Sequence, residues 1–303
     1  MPVPFTPSYI KLHQTGELLK RINALHEILE ECRLCPRSCG VNRLKGELGI
    51  CEGGAELMVS SASPHFGEEP PLVGFHGSGT IFLTHCNLRC VFCQNYDISH
   101  MGRGHVTTLS DMAKCMLKLQ NMGCHNINFV TPTHYVPQIV ASLPKAIESG
   151  LRIPLVFNCG GYESLEVIEL LDGIMDIYMP DVKYADESIA KKYSNTPDYP
   201  EIIREVLLEM YRQVGDLKTN REGIAERGLL IRHLVMPEGL SGTKALMEFI
   251  GYRVSQDSYV NIMAQYRPMY RADEFPELSR RITGQEYREA IEIAKEAGLH
   301  RGF

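Results

Sequence analysis

Two groups of cysteines are the residues of this chain whose type and spacing most clearly indicate chemistry. The spacing C-x2-C-x3-C-x11-C relates the first group, which is Cys32, Cys35, Cys39 and Cys51. The spacing C-x3-C-x2-C relates the second group, which is Cys86, Cys90 and Cys93. Cysteines clustered in this way bind metals or carry redox chemistry more often than they form disulfides in a reducing compartment.

The group of three places its thiols in a single short loop. Three soft ligands this close suit an iron–sulfur cube better than a single zinc ion, which prefers four ligands. No fourth cysteine follows Cys93 within twenty residues, so a cube held here keeps one iron open for a ligand that is not part of the protein. The alternative is a zinc or redox site that a distant fourth cysteine completes.

The group of four has enough thiols to close a site on its own. A closed tetrahedral zinc site held by four cysteines is structural. Gly40, Gly46 and Gly49 supply the turns that such a knuckle needs. Zinc, a second iron–sulfur cluster and a metal-free module all remain open at this point.

Residues 86–99 read CNLRCVFCQNYDIS. The cysteine spacing, with an aromatic residue before the last cysteine, resembles the signature of the radical S-adenosylmethionine (SAM) superfamily. The continuation resembles the branch around pyruvate formate-lyase activating enzyme. Residues 32–43, CRLCPRSCGVNR, resemble the N-terminal box of that branch's uncharacterised PflX-type members. The resemblance extends over about residues 30 to 270.

The resemblance implies a [4Fe–4S] cluster on Cys86, Cys90 and Cys93, with SAM on the open iron. It implies reductive cleavage of SAM to a 5′-deoxyadenosyl radical, which would activate a glycyl radical enzyme by taking hydrogen from a glycine. The electron donor would be flavodoxin-like or ferredoxin-like. The SAM-binding residues that it implies are Phe92, Thr131, Thr133, Asn158, Asp181, Lys183 and Arg232. No residue is assigned a catalytic role.

Three of these residues carry specific expectations. Phe92 would lie near the adenine, or would simply pack the loop. Thr131 and Thr133 stand where the family has a Gly-Gly-Glu segment that receives the methionyl amine. The chain has no glutamate there, so threonine hydroxyls and backbone carbonyls are expected to accept those hydrogen bonds.

Asp181 and Lys183 match the Asp-x-Lys motif of the activating enzymes, and their spacing puts both side chains on one face of a strand. The alternative is an exposed ion pair. Arg232 resembles the family's strand-five arginine that contacts the SAM carboxylate, a role that its fork geometry suits. His233 must point to the opposite face from Arg232, and we expect it to be a hydrogen-bonded core histidine.

The elements that must position these residues alternate between strands and helices. The predicted strands are residues 80–85, 126–130, 154–158, 174–179, 229–235 and 259–264. Capping-box patterns at Asp198 and Thr283 predict the starts of two helices. This alternation predicts an α/β fold with a parallel sheet. Six units are too few for an eight-fold barrel, so we expect a partial (β/α)6 TIM-like barrel of the radical SAM type with a small N-terminal Cys-rich extension.

The expected organisation has three parts. Residues 1–70 would form an N-terminal helix and the four-cysteine metal-binding extension, residues 71–270 the partial barrel, and residues 271–303 a C-terminal loop and helix packed on it. In such barrels the functional residues lie at the carboxyl ends of the strands.

Charge and hydropathy exclude several classes of function. The chain has 31 Lys and Arg against 37 Asp and Glu, for a net charge of −6, which does not favour nucleic acid or an anionic membrane. The first residues lack an apolar stretch typical of a secretory signal. The longest uncharged run, residues 70–88, contains Pro, Gly and His and does not fit a membrane helix. We therefore expect a cytoplasmic protein.

Two other functions compete with activation of a glycyl radical enzyme. The first is a radical SAM enzyme that acts on a small molecule or modifies a peptide. The second is a non-catalytic zinc or iron–sulfur module for interaction or electron transfer. An electron carrier has no need of Asp181, Lys183 and Arg232 at the strand ends, which favours an enzyme.

Overall fold

The computed structural model describes residues 5–303, and the strands of that range form one mixed sheet. The strands are β1 Met58–His65, β2 Ser78–Leu83, β3 His105–Val106, β4 Ile127–Val130, β5 Leu155–Cys159, β6 Ile177–Val182, β7 Lys218–Thr219, β8 Ala225–Leu234 and β9 Tyr259–Met263. Their order is β3-β1-β2-β4-β5-β6-β8-β7, and β9 also pairs with β8. The parallel strands are β2, β4, β5, β6, β8 and β9.

The mixed α/β fold and the six parallel strands confirm the predicted alternation. The order β2-β4-β5-β6-β8-β9 is the one that a partial (β/α)6 barrel requires, and the barrel itself stays a prediction. The predicted bounds of three strands were wrong by two residues or more. β8 begins at Ala225, four residues before its predicted start at residue 229. β2 begins and ends two residues early, because His85 has a φ of 66°, which an extended strand does not allow. β6 begins three residues late, because the Asp176 carboxylate accepts the amide hydrogens of Ser8 and Leu155 at the turn before it.

Helices follow the strands and cover the sheet. They are α1 Ser8–Gln14, α2 Glu17–Glu27, α3 Pro70–Val73, α4 Tyr96–Ser99, α5 Leu109–Asn121, α6 Val136–Glu148, α7 Leu165–Leu170, α8 Glu187–Ser194, α9 Tyr199–Val214, α10 Thr243–Phe249 and α11 Gly284–Glu296. Short 3-10 turns lie at Arg43–Lys45, Thr133–Tyr135, Pro237–Gly239, Ala272–Glu274 and Pro276–Leu278, and a π-helical turn at Ile250–Val254. Within residues 5–303, no helix has both the length and the apolar character that a membrane crossing requires.

The two predicted capping boxes have different outcomes. Thr283 and Glu286 form a complete capping box at the start of α11, as predicted. The helix start predicted at Asp198 is confirmed, because α9 begins at Tyr199 with Asp198 as its N-cap, but the capping box itself is absent, because Asp198 makes no side-chain cap to α9. Its carboxylate instead accepts the hydroxyl hydrogen of Tyr162 at 2.7 Å, so a tertiary contact has replaced the local one.

The range predicted for the N-terminal extension contains one strand of the sheet, and the division of the chain into three parts stays a prediction. β1 lies within the range predicted for the extension, yet it pairs antiparallel with β2 and belongs to the sheet. We use the name four-cysteine module for residues 28–57, between α2 and β1. Its one regular element is the short turn at Arg43–Lys45. Buried cysteines and Leu34 form much of its interior.

Candidate functional site

The loop after β2 carries the group of three cysteines, and a polar atom lies close to each sulfur. The pairs are Leu88 N to Cys86 Sγ at 3.4 Å, Ser194 Oγ to Cys90 Sγ at 3.0 Å, and Ser99 Oγ to Cys93 Sγ at 3.1 Å. All three thiols are free. Hydrogen bonds to sulfur support thiolate ligands and tune the potential of iron–sulfur clusters. The donor set therefore fits an iron–sulfur cluster.

Burial affects the acidity of this loop. It raises the pKa of the Cys86 thiol to about 12 and also raises the pKa of Cys93. A buried thiol becomes a ligand only when it loses its proton, and bound metal supplies the positive charge that favours this loss. The loop thus has ligands whose ionisation depends on the metal.

A second group of side chains lies at the ends of β5, β6 and β8. The Asp181 carboxylate contacts Lys183 Nζ, and the Arg232 Nε donates to Asp181 Oδ1 at 2.7 Å. Arg232 Nη2 also donates to Asn158 Oδ1 at 2.7 Å. The side chains of Asp181, Lys183 and Arg232 are 18%, 11% and 16% exposed, so they do not form a surface ion pair. The structure thus joins four predicted site residues in one network, and we name the sheet face that carries them the site face.

Carboxylates set the charge of this network. Burial raises the pKa of Asp181, but Arg232 and Lys183 outweigh it and the net shift is downward. Burial lowers the pKa of Arg232, but Asp181, Glu69 and Glu68 raise it further than burial lowers it. Glu68 and Glu69 lie 3.8 and 4.0 Å from the Arg232 guanidinium. Both ionic groups of the Asp181–Arg232 pair are therefore charged at neutral pH.

Glu163 is a candidate site residue that the sequence analysis missed. Its carboxylate accepts the Thr133 hydroxyl hydrogen at 3.1 Å, and the side chain is only 2% exposed. Burial raises its pKa to about 7. A carboxylate thus stands beside Thr133, although residues 131–133 themselves have none. The sequence held a signal for it, because Glu163 follows Gly160-Gly161-Tyr162 directly after β5.

Comparison with known proteins decides the family. The sequence profile of the Radical SAM superfamily matches residues 80–220, which include the three-cysteine loop, Glu163 and the Asp181–Lys183 pair. The uncharacterized protein MJ0674 of Methanocaldococcus jannaschii is 33% identical over an alignment of 289 residues. The alignment covers 92% of this chain and 78% of that protein. The chain belongs to the radical SAM superfamily. Membership implies a [4Fe–4S] cluster and SAM as cofactors, and an enzyme of the radical SAM type.

The remaining predicted residues of the radical SAM domain have mixed environments. Phe92 is 5% exposed and packs edge-on against Tyr184 and Tyr266, at centroid distances of 6.4 and 5.8 Å. The structure therefore shows its packing contacts, and its contact with adenine stays a prediction. Thr131 has a φ of 59°, and its amide donates to the Asn158 carbonyl at 2.8 Å.

His233 is confirmed as a core histidine of the radical SAM domain. It is fully buried, and its two ring nitrogens lie 2.9 Å from the Val182 carbonyl and 2.9 Å from Thr243 Oγ1. Burial lowers its pKa to about 4, so the ring is neutral at physiological pH.

The four-cysteine module packs directly on the loop after β4. Cys32, Cys35 and Cys51 are buried and Cys39 is half-buried. Arg43 is 1% exposed and donates to the carbonyls of His134, at 2.7 Å, and of Gly54. Its Nε has no partner within residues 5–303. In that range no three His, Cys, Asp or Glu side chains are arranged around a single ion position, and the metal of the module stays a prediction.

Glu163 gives the radical SAM domain a measurable pH dependence. Its pKa in the folded state, about 7, lies above the ordinary value of 4.5. The folded state therefore holds more protons than the unfolded state between these values, and stability falls as the pH rises from about 4.5 to 7. We expect Glu163→Gln to remove this loss, worth about 3 kcal/mol between pH 4 and pH 8.

The measurement is the free energy of urea unfolding against pH for the parent protein and the Glu163→Gln variant. Glu166→Gln is the matched control, because the side chain of Glu166 is 48% exposed and pairs with Arg33 at the surface. Parallel profiles for the parent and Glu163→Gln would show that Glu163 does not titrate in this window.

Proposed function

We propose that the protein cleaves SAM reductively at a [4Fe–4S] cluster held by Cys86, Cys90 and Cys93. With one electron from an external donor, the cluster and SAM would supply a 5′-deoxyadenosyl radical, with methionine as the other product. This radical would take a hydrogen atom from the substrate. The observation that carries the proposal is the loop of three free thiols, each with a polar atom within 3.4 Å of its sulfur, in a domain of the radical SAM superfamily.

The strand ends supply groups that suit the polar parts of SAM. Arg232 and Lys183 would bind its carboxylate, and Asp181 would accept hydrogen bonds from its ribose or ammonium. Asn158 would hold the Arg232 guanidinium in place through the contact at 2.7 Å.

A carboxylate from a neighbouring strand end would complete the ammonium site. Glu163 lies beside Thr133 and is buried without an ion-pair distance to a cation in residues 5–303. The SAM ammonium would supply that cation, with Thr131 and Thr133 as further acceptors. Phe92 would border the adenine.

Activation of a glycyl radical enzyme is the proposed reaction. Its support is the resemblance of residues 94–99 and of the Asp181-Val182-Lys183 segment to the activating enzymes. The protein substrate would be a glycine-bearing loop of the partner, and the electron donor a flavodoxin-like or ferredoxin-like protein. All ten cysteines are free thiols, which fits the reducing cytoplasm that we propose as its location.

A small polar substrate is the second candidate, and one observation favours it. Asn128 lies on the site face, because it pairs with Val156, two residues before Asn158 on the same strand. Asn128 is fully buried, and neither its amide oxygen nor its nitrogen has a partner within residues 5–303. The Oε2 of Glu69 also lacks a partner there, while Asn261 donates to Oε1 at 2.9 Å. These atoms suit a small molecule with amide, amine or hydroxyl groups.

The four-cysteine module is proposed to bind zinc or a second iron–sulfur cluster. Arg43 supports a centre of net negative charge. Burial raises the pKa of the Cys51 thiol, and the nearby Arg43 charge acts in the opposite direction. Four thiolates on a divalent metal leave a net negative charge, which a buried arginine without a carboxylate partner would neutralise.

Anaerobic reconstitution with iron and sulfide tests the proposed function. We expect dithionite and SAM to give 5′-deoxyadenosine, detected by chromatography, at a rate above that of protein-free cluster solutions. An assembled four-iron cluster without any 5′-deoxyadenosine would contradict an enzyme and favour the electron-carrier function. The rate of 5′-deoxyadenosine formation by the wild-type protein is then compared between a glycine-bearing peptide and small amides and amines. The class that increases this rate is the substrate class.

A further inference from the structure

One arginine of the four-cysteine module contacts four backbone carbonyls of the radical SAM domain. Arg37 lies between Cys35 and Cys39. Its acceptors are the carbonyls of Asn87 at 2.9 Å, Leu88 at 3.3 Å, Ser194 at 2.9 Å and Asn195 at 2.7 Å. The first two belong to the loop between Cys86 and Cys90, and the last two lie at the end of α8 and just after it. A single guanidinium fork therefore joins three segments that are distant in sequence.

The same loop also reaches back to the module. Arg89, which precedes Cys90, lies with its Nη1 3.1 Å from the Glu52 carboxylate and 3.4 Å from the Ile50 carbonyl. Arg89 has a φ of 53°, a conformation that side chains with a Cβ rarely adopt. The surrounding contacts must hold such a backbone in place. The loop is therefore held by the module through Arg37 at its start and through Glu52 at its middle.

These contacts lead to one of the ligand sulfurs. Ser194, whose carbonyl accepts from Arg37, donates its hydroxyl hydrogen to Cys90 Sγ at 3.0 Å. The Tyr184 hydroxyl lies 2.7 Å from the hydroxyl oxygen of Ser194. At the start of the loop, the Asn87 side chain donates to the Tyr162 carbonyl at 2.6 Å. The hydrogen bond to Cys90 therefore has Arg37 contacts on both sides. Arg37 binds the backbone at Ser194, the donor, and the backbone at residues 87 and 88, in the loop that leads to Cys90, the acceptor.

We infer that Arg37 is a positioning residue through which the four-cysteine module sets the geometry and the reduction potential of the catalytic cluster. The inference depends on the proposed function, because that proposal supplies the cluster. The geometry of the Arg37 contacts depends only on the protein itself. Hydrogen bonds to ligand sulfurs raise the reduction potential because they stabilise the more negative, reduced state. The Val91 amide also donates to the Tyr193 carbonyl at 2.9 Å, so the two segments keep one direct link without Arg37. Loss of Arg37 removes the four guanidinium contacts that orient the Ser194 segment against the cluster loop, so it weakens the hydrogen bond to Cys90.

The test compares Arg37→Ala with Arg33→Ala. Arg33 belongs to the same module, but its side chain is 46% exposed and pairs with Glu166 at the surface. The readouts are the midpoint potential of the reconstituted cluster, and amide hydrogen exchange of the peptide spanning residues 86–93 in the metal-free protein. For Arg37→Ala we expect a more negative potential and exchange about tenfold faster. For Arg33→Ala we expect parent values in both measurements.

A double-mutant comparison separates positioning from general destabilisation. Ser194→Ala removes the donor to Cys90 directly, so it should also make the potential more negative. The combined Arg37→Ala and Ser194→Ala variant should then show a shift smaller than the sum of the two single shifts, because both act on one hydrogen bond. Additive shifts would contradict a common route through Ser194.

Arg37→Lys keeps the charge but cannot span four carbonyls, and it replaces Arg37→Ala if the alanine variant does not fold. We expect Arg37→Lys to restore only part of the potential and of the exchange protection. Parent values of both readouts in a folded Arg37 variant would overturn the inference, even if the wild-type protein cleaves SAM. Failure of the wild type to cleave SAM would contradict the proposed function, while the exchange measurement on metal-free protein still decides the role of Arg37.

Discussion

The Cys90→Ala variant is expected to lose its four-iron cluster and all SAM cleavage while keeping its folded sheet. Cys90 lies in the loop between β2 and α4 and contributes no backbone pairing to the sheet. Cys90 as a residue is 7% exposed, and its sulfur accepts one hydrogen bond, from the Ser194 hydroxyl. The substitution therefore costs about 1–2 kcal/mol of stability, from lost packing and an unpaired hydroxyl. The substitution also removes one of the three cysteine ligands of the cluster. The loop contains no other cysteine that could take its place.

The measurements for Cys90→Ala are iron and sulfide per chain, 5′-deoxyadenosine formed under anaerobic reduction, and the melting temperature. Cys115→Ala is the matched control, because Cys115 is a partly buried cysteine on α5 outside both groups. We expect the control to keep iron, sulfide and SAM cleavage at parent levels. Full SAM cleavage by Cys90→Ala would show that the cluster ligands have been assigned wrongly.

The Cys35→Ala variant is expected to be markedly less stable than the parent if the module holds structural zinc. Cys35 is buried, and the module has a single 3-10 turn as its regular structure. Bound metal would therefore contribute much of the folding energy of the module. A loss of roughly 3 kcal/mol would lower the melting temperature by roughly 5 °C in a chain of this size. The measurement is a thermal melt, with zinc per chain determined on the same sample.

Other results for Cys35→Ala select between the alternatives. Unchanged melting together with lost electron transfer to the catalytic cluster would favour a second iron–sulfur cluster. Unchanged melting, unchanged metal content and unchanged electron transfer would contradict any metal in the module. Cys115→Ala again serves as the control for loss of a thiol.

The sequence predicted those parts of the site that depend on short-range spacing. The three-cysteine loop, the strands that carry the site residues and the contact of Asp181 with Lys183 all follow from local patterns. Alternation along β8 correctly separated Arg232 from His233, because successive side chains of a strand point to opposite faces.

The parts that the sequence did not predict depend on contacts between distant segments. Glu163 reaches Thr133 across 30 positions, and Glu69 reaches Asn261 across 192. Arg37 meets Asn87 across 50 and Asn195 across 158. No propensity or spacing rule connects residues so far apart, since only the strand order brings them together. β1 was missed for the same reason, because its pairing with β2 defines it as a strand of the sheet.

Electron paramagnetic resonance of the reduced, oxygen-free protein with and without SAM tests the central claim most directly. The claim is that Cys86, Cys90 and Cys93 hold a four-iron cluster with one iron open to SAM. We predict a [4Fe–4S] signal whose line shape changes when SAM is added, and the loss of that signal in Cys90→Ala. A protein without a four-iron signal, or with a signal that SAM leaves unchanged, would contradict the claim.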